Sequence, residues 1–176
     1  MVALKNEIFD FFNWPAPIEK SSPTVGEALF DLMSSKGWPN AEKWRDNANT
    51  IAPTLVGGSK KHGGPDLGPA RAKAAWKKLG VNANRVGDLD EIPDKEFKGV
   101  VMRNGQIKEG FSDLPLLNVR MAARIQGFPD YWDFTGGKTN AYRQVGNAFP
   151  PPVAEAIGKE IASALQQYDQ HTHQKA

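Results

Sequence analysis

A chain of 176 residues is long enough for one ordinary domain, or for a small lobe with a docking segment, and 40 % apolar residues permit a core. The formal charge of +2 leaves nucleic-acid binding open, and the absence of cysteine excludes a disulfide framework, a thiolate metal site and a cysteine nucleophile within these residues. The 13 prolines and 17 glycines imply a loop-rich molecule, and no opening apolar run is long enough for a signal peptide or a membrane span, so a cytoplasmic protein without membrane contact is expected.

The opening segment gathers Phe9, Phe11, Phe12 and Trp14 ahead of Pro15 and Pro17. Such aromatics pack a local core or anchor an arm on another surface, and the prolines disfavour a continuing helix. A helix is expected from about Val25 to Leu32, with Thr24 as N-cap, Glu27 completing a capping box, and Val25, Ala28, Leu29 and Leu32 on one face. From Gly37 to Gly68 turns and loops are expected, with a short extended piece near Thr54 and Leu55. Gly57, Gly58, Gly63 and Gly64 follow it and allow close approaches that a side chain would obstruct.

Pro69 suits the first position of a helix running to Leu79, with an apolar stripe of Ala72, Ala75, Trp76 and Leu79. Between Lys60 and Arg85 the cations Lys60, Lys61, Arg71, Lys73, Lys77, Lys78 and Arg85 face Asp66 alone, a pattern that suits either a phosphate backbone or a solvated helix face. Asn104-Gly105 predicts a two-residue hairpin turn joining Val100–Met102 to Gln106–Lys108. A compact helix is expected from Val119 to Gln126, between Asn118 and Gly127, and a last one from near Pro152 to Leu165, followed by a fraying polar tail. His171 and His173 in that tail are weak as a metal pair, and no metal site is expected.

Two segments carry a more specific pattern. Arg120-Met121-Ala122-Ala123-Arg124-Ile125-Gln126-Gly127-Phe128-Pro129 resembles the ninth conserved motif of DNA cytosine-5 methyltransferases. Tyr142-Arg143-Gln144-Val145-Gly146-Asn147-Ala148-Phe149-Pro150-Pro151-Pro152-Val153-Ala154 resembles the tenth. Order and spacing match that family, most like the small subunit of a two-polypeptide enzyme. The likeness is diagnostic from Leu117 to Leu165, while residues 49–64 resemble part of the target-recognition region and residues 13–18 the chain after the eighth motif. Asn118 and Met121 stand where such proteins usually carry a threonine and an acidic residue.

The resemblance implies a mixed α/β fold: a small target-recognition lobe of loops and short strands, plus helices that complete a partner's Rossmann-like methyltransferase domain. It divides the chain into a docking arm (1–20), a recognition region (21–116), the ninth- and tenth-motif segment (117–167) and a disordered tail (168–176). It implies a cofactor-side wall in a strand-turn-helix, with Gly146, Asn147, Ala148 and Pro150 as candidates. S-adenosylmethionine would be bound mainly by the partner. Thr54, Leu55, Gly57 and Gly58 are candidates for DNA recognition around a flipped cytosine. Lys60, Lys61, Arg71, Lys73, Lys77, Lys78 and Arg143 are candidates for phosphate contacts, and Arg120, Arg124, Gln126 and Gln144 for organising the recognition loops.

The family's Pro-Cys nucleophile, its glutamate motif and its N-terminal glycine motif are absent from these residues, so no catalytic residue is expected here. The resulting expectation is a noncatalytic DNA-recognition subunit of a split DNA (cytosine-5)-methyltransferase from a restriction-modification system, binding double-stranded DNA beside a larger subunit that holds the cysteine. A standalone DNA-binding module, or an inactive C-terminal methyltransferase fragment, is the alternative.

Overall fold

The computed structural model describes residues 2–17, 22–57 and 65–173. Among them are seven helices and one two-stranded sheet: α1 (Asn6–Phe9), α2 (Val25–Ser34), α3 (Ala41–Asn47), α4 (Ala70–Lys78), β1 (Gly99–Val101), β2 (Ile107–Ser112), α5 (Val119–Ile125), α6 (Lys138–Asn147) and α7 (Pro151–His173). Two compact units divide the chain, Ser22–Ala148 and the pair of segments Met1–Ser21 and Phe149–Ala176. The boundaries differ from the sequence-based segments, because residues 117–148 lie in one unit with the recognition region.

In the larger unit, α2 packs on α3 and α5, and α5 packs on α6. The capping box that opens α2 is present: the Glu27 N–H donates to Thr24 Oγ1 at 3.2 Å and the Thr24 N–H donates to Glu27 Oε2 at 2.8 Å. Two further amides at the start of α2 are satisfied from outside the helix, Val25 by the Thr50 carbonyl and Gly26 by the Ala48 carbonyl. Gly26 is required there, since a Cβ would lie 2.2 Å from the Arg45 carbonyl oxygen of α3. The core closes over Leu29 and Met33 of α2, Trp76 of α4, Met121 of α5 and Tyr142 and Val145 of α6, all inaccessible to solvent. Full burial of an aliphatic or methionine side chain of this kind contributes roughly 1.5–3 kcal/mol.

Helix α3 occupies a stretch expected to be loop. Ala41, Trp44 and Ala48 recur on one face and are buried, and the Trp44 indole N–H donates to the Gly80 carbonyl at 3.1 Å, so tertiary burial holds a helix too short to be stable by itself. Helix α4 begins one residue later than expected, with Pro69 extended at the N-cap. The hairpin forms, but as a three-residue loop. Met102 N–H donates to the Gln106 carbonyl, Gly105 N–H donates to the Met102 carbonyl, and only Gly105 of the Asn104-Gly105 pair takes a positive φ, of 79°.

The buried Asn118 opens α5 by accepting the Met121 N–H at 3.0 Å, so asparagine caps this helix in the place of the family's threonine. The expected strand-turn-helix over the tenth motif is instead a helix, a break and a helix. Residues 138–147 are helical because Ala141, Tyr142 and Val145 share a buried face, and α6 stops at Asn147 because Ala148 is extended (φ −69°, ψ 144°) and Phe149 precedes a proline.

In the smaller unit α1 packs on α7. Phe11 lies edge-on to Tyr168, with ring centres 6.2 Å apart, and 5.7 Å from the His171 ring. Ala164 is buried. These contacts explain why α7 runs through Gln166 to His173 where a fraying tail was expected: aromatic side chains one turn apart rest on the opening segment.

Candidate nucleic-acid and cofactor-side surfaces

The end of α6 meets the segment that leads into the glycine run. A Cβ on Gly146 would lie 2.5 Å from the Gly57 nitrogen and 2.6 Å from both the Gly57 Cα and the Val56 carbonyl carbon. A Cβ on Gly57 would lie 2.4 Å from Asn147 Oδ1. Glycine on both sides therefore permits a backbone-to-backbone contact between Gly57 and Gly146 and lets the Asn147 carboxamide lie against Gly57. Gly146 and Asn147 occupy the last turn of a helix, which corrects their expected place in a strand-to-helix turn. Gln126, which follows α5 at its C-terminal end, secures the same corner by donating its side-chain N–H to the Val145 carbonyl at 3.2 Å.

Of the other recognition candidates, Thr54 is exposed and Leu55 is buried at 6 % exposure within the core. Burial corrects the expectation for Leu55, because a side chain packed in the core cannot form a groove edge. Gly58, Lys60 and Lys61 lie outside the described residues.

Arg124 is the best-connected side chain on α5. Its Nε donates to Asp130 Oδ1 at 3.0 Å and its Nη2 to Asp130 Oδ2, while Nη1 donates to the Ala28 carbonyl at 3.1 Å and to Asp31 of α2. Arg120 reaches the same Asp130 carboxylate at 3.3 Å. Hydrogen bonds from Arg124, then Arg120, hold the Asp130 carboxyl below its ordinary range, and Asp130 and Asp31 hold the Arg124 guanidinium above its own. The planar fork thus ties α5 to α2 and to the chain just after α5. Gln144 donates to the Thr135 and Asn140 carbonyls at 2.8 and 3.3 Å, fastening the approach to α6. Sequence reasoning named both arginines and missed their carboxylates, of which Asp31 is 93 positions from Arg124.

The basic residues separate by environment. Arg71 and Lys78 are exposed on α4, and Arg143 is half-buried on α6. Lys73 is ion-paired with Asp66 at 2.6 Å, with both side chains largely sheltered, which places it in the fold rather than on an open phosphate surface. Lys77 lies over the Phe111 ring, 4.5 Å from its centre. Asp66 also adds to the effect of burial in raising the Tyr142 phenol above its ordinary range, burial being the larger cause.

A separate cleft of about 560 Å³ lies beside α5, lined by Ile92, Val119, Phe128, Trp132 and Phe134, with Arg120 alone among the candidate site residues. Among the described residues no group of three or more His, Cys, Asp or Glu side chains could hold a metal, and no helix is long and apolar enough to cross a membrane.

Cofactor fit rests on the corner at the end of α6. Asn147 is exposed and carries a carboxamide that both donates and accepts, and Ala148 is extended beside it, while the space over Gly146 is taken by the 56–57 backbone. These groups suit one wall of a nucleoside-containing ligand.

A family model described as C-5 cytosine-specific DNA methylase matches residues 1–163. The chain is 54 % identical over 166 residues to Type II methyltransferase M.NaeI of Lentzea aerocolonigenes, covering 94 % of this chain and 37 % of that protein. It is 47 % identical over 164 residues to Type II methyltransferase M.NgoMIV of Neisseria gonorrhoeae, covering 93 % of this chain and 47 % of that protein. DNA (cytosine-5)-methyltransferase 3 of Arabidopsis thaliana is 31 % identical over 115 residues, 65 % of this chain and 7 % of that protein. The chain spans less than half the length of these relatives. No solved structure matches it.

Proposed function

The chain belongs to the C-5 cytosine-specific DNA methylase family, to whose C-terminal portion it corresponds, and from that premise we propose that it is the noncatalytic DNA-recognition part of a DNA (cytosine-5)-methyltransferase. In this reading the nucleophile is supplied from outside these 176 residues, by a larger partner polypeptide of a restriction-modification system. The carrying observation is the pairing of family membership over residues 1–163 with a complete absence of cysteine.

The reaction requires a cytosine turned out of the duplex, because stacking hides the reacting ring. A thiolate adds to C6, C5 accepts the methyl group that S-adenosylmethionine supplies, and loss of the C5 proton releases the thiolate. The residues of this chain have three tasks in that scheme. Arg120 and Arg124, held on Asp130 and Asp31, set the position of α5 relative to α2 and so organise the recognition segment. Gly57, in contact with Gly146 and Asn147, links the recognition segment to the cofactor-side corner. Arg71, Lys77, Lys78 and Arg143 are the described candidates for duplex phosphates. Asn147 and Ala148 would hold one side of S-adenosylmethionine, most of whose site lies in the partner.

The experiment is methyl transfer to duplex DNA by this chain alone, by the polypeptide with which it copurifies, and by the two together. Activity only in the mixture is expected. Equal activity from the companion without this chain would refute a required recognition role. Duplex binding that is intact in the isolated chain, with no companion and no effect on methylation, would favour a standalone DNA-binding module.

A further inference from the structure

The β1–β2 hairpin and α4 bring together cations that sequence position alone does not connect. Lys77 of α4 and Lys108 of β2 both lie over the ring of Phe111, their ammonium groups 4.5 and 4.8 Å from its centre. Gly110, at φ +70°, leaves the strand bare where Lys77 approaches, and a Cβ there would sit 3.2 Å from the Lys77 nitrogen. Arg103 stands at the hairpin turn. Among the described residues none of these three cations forms an ion pair, whereas Arg85 nearby is neutralised by Glu91.

Beside them runs an open groove of about 490 Å³ between the hairpin and the 82–85 loop. One side presents Val101 and Met102, which are 61 % and 42 % exposed. The other presents Asn84, whose backbone and side-chain N–H groups both donate to Asn82 Oδ1, at 3.2 and 3.0 Å. Two ammonium groups held on one ring lose freedom before any ligand arrives, which lowers the ordering cost of binding. Cations spread along an open groove match a line of phosphates better than a single anion, which calls for donors converging on one point. The apolar strip between them suits sugar or base-edge contacts.

We propose that this groove is a contact surface for duplex DNA, with Lys77, Lys108 and Arg103 on the phosphates of one strand and Val101 and Met102 against the adjoining groove edge. The assignment rests on the DNA-recognition reading and moves its main electrostatic contact toward the hairpin, whose Arg103 and Lys108 sequence reasoning did not single out.

Duplex binding of the assembly that contains this chain, followed by fluorescence anisotropy between 50 and 200 mM salt, tests it. In K77Q/K108Q the slope of log affinity against log salt is expected to fall by about 1.8, and affinity to fall on the order of tenfold across unrelated duplexes. R103Q alone should remove about 0.9 of slope. F111L keeps every charge, so the slope should stay while affinity falls about two- to fivefold. The control K43Q/K95Q makes the same change in net charge away from the groove and should leave the slope unchanged. Wild-type slope and affinity in K77Q/K108Q, or an equal loss in K43Q/K95Q, would overturn the assignment while leaving DNA recognition standing. Failure of the unmodified assembly to bind any duplex would instead overturn the DNA-recognition reading itself.

Discussion

Replacing Gly146 with alanine sets two effects of opposite sign against each other. Gly146 lies within α6, where exchanging glycine for alanine ordinarily stabilises a helix by up to about 1 kcal/mol. Here the new Cβ would lie 2.5 Å from the Gly57 nitrogen and 2.6 Å from the Gly57 Cα and the Val56 carbonyl carbon, all of them backbone atoms. No rotamer change relieves such contacts, so either the helix end or the 56–57 segment must move away. Overpacking of this kind costs about 1–3 kcal/mol, which outweighs the propensity gain. Gly158 is the internal comparison: it sits inside α7, and among the described residues a Cβ there meets nothing within 4 Å. Urea unfolding of the two variants should therefore diverge in sign. Gly158→Ala is expected to raise stability by about 0.5–1 kcal/mol and Gly146→Ala to lower it by about 1–2 kcal/mol. A neutral or stabilising Gly146→Ala would refute the close backbone contact, and with it the physical link between the recognition segment and the cofactor-side corner.

Arg124→Ala should cost about 1–2 kcal/mol in the same assay, because it strands Asp130 and Asp31 and frees the Ala28 carbonyl. Arg124→Lys should recover little of this, since an ammonium cannot reproduce the fork. Glu91 is held at about 2, chiefly by hydrogen bonds from Arg85, against its ordinary 4.5. A lowered carboxyl stabilises the fold fully above 4.5, and the contribution disappears as pH falls through about 2. For this half-buried pair, discounted for solvent screening, the amount is about 1 kcal/mol, so Glu91→Gln should flatten the stability profile between those two pH values, as read by thermal melts. Ile157→Asp places a charge on the half-buried face of α7 and should release the copurifying polypeptide, whereas removing the exposed His173 ring should not; pull-down yield measures both.

Local signals were legible where one short stretch holds all the partners. Thr24 and Glu27 announce the start of α2, Asn118 that of α5, and Gly127, at φ 86°, the end of α5. The helices that escaped notice are those whose stability comes from distant residues. Helix α3 rests on the contact of Trp44 with Gly80, α6 on the burial of Tyr142, and the last turns of α7 on Phe11, more than 150 positions away. The same limit governs the candidate sites. Gly57 suggested a close approach and Gly146 a cofactor-side turn, without revealing that the two approach each other. Leu55, adjacent to the glycine run, was indistinguishable from a groove-facing residue until its burial placed it in the core. Lys73 gave no sign of its pairing with Asp66 seven positions earlier, because a single acid in a basic stretch reads as an exception rather than as a partner.

Covalent trapping locates the bond-making residue without relying on turnover. In a duplex carrying 5-fluorocytosine at the target position the thiolate adds at C6 and C5 takes the methyl group, but C5 carries fluorine where a proton would be lost, so the protein stays attached. After incubation of the complete assembly with that duplex and S-adenosylmethionine, digestion and mass spectrometry identify the modified peptide. The expected result is an adduct on a cysteine outside these 176 residues, formed only when this chain is present. An adduct on any residue of this chain, or undiminished trapping by the catalytic polypeptide in its absence, would contradict the division of labour proposed for it.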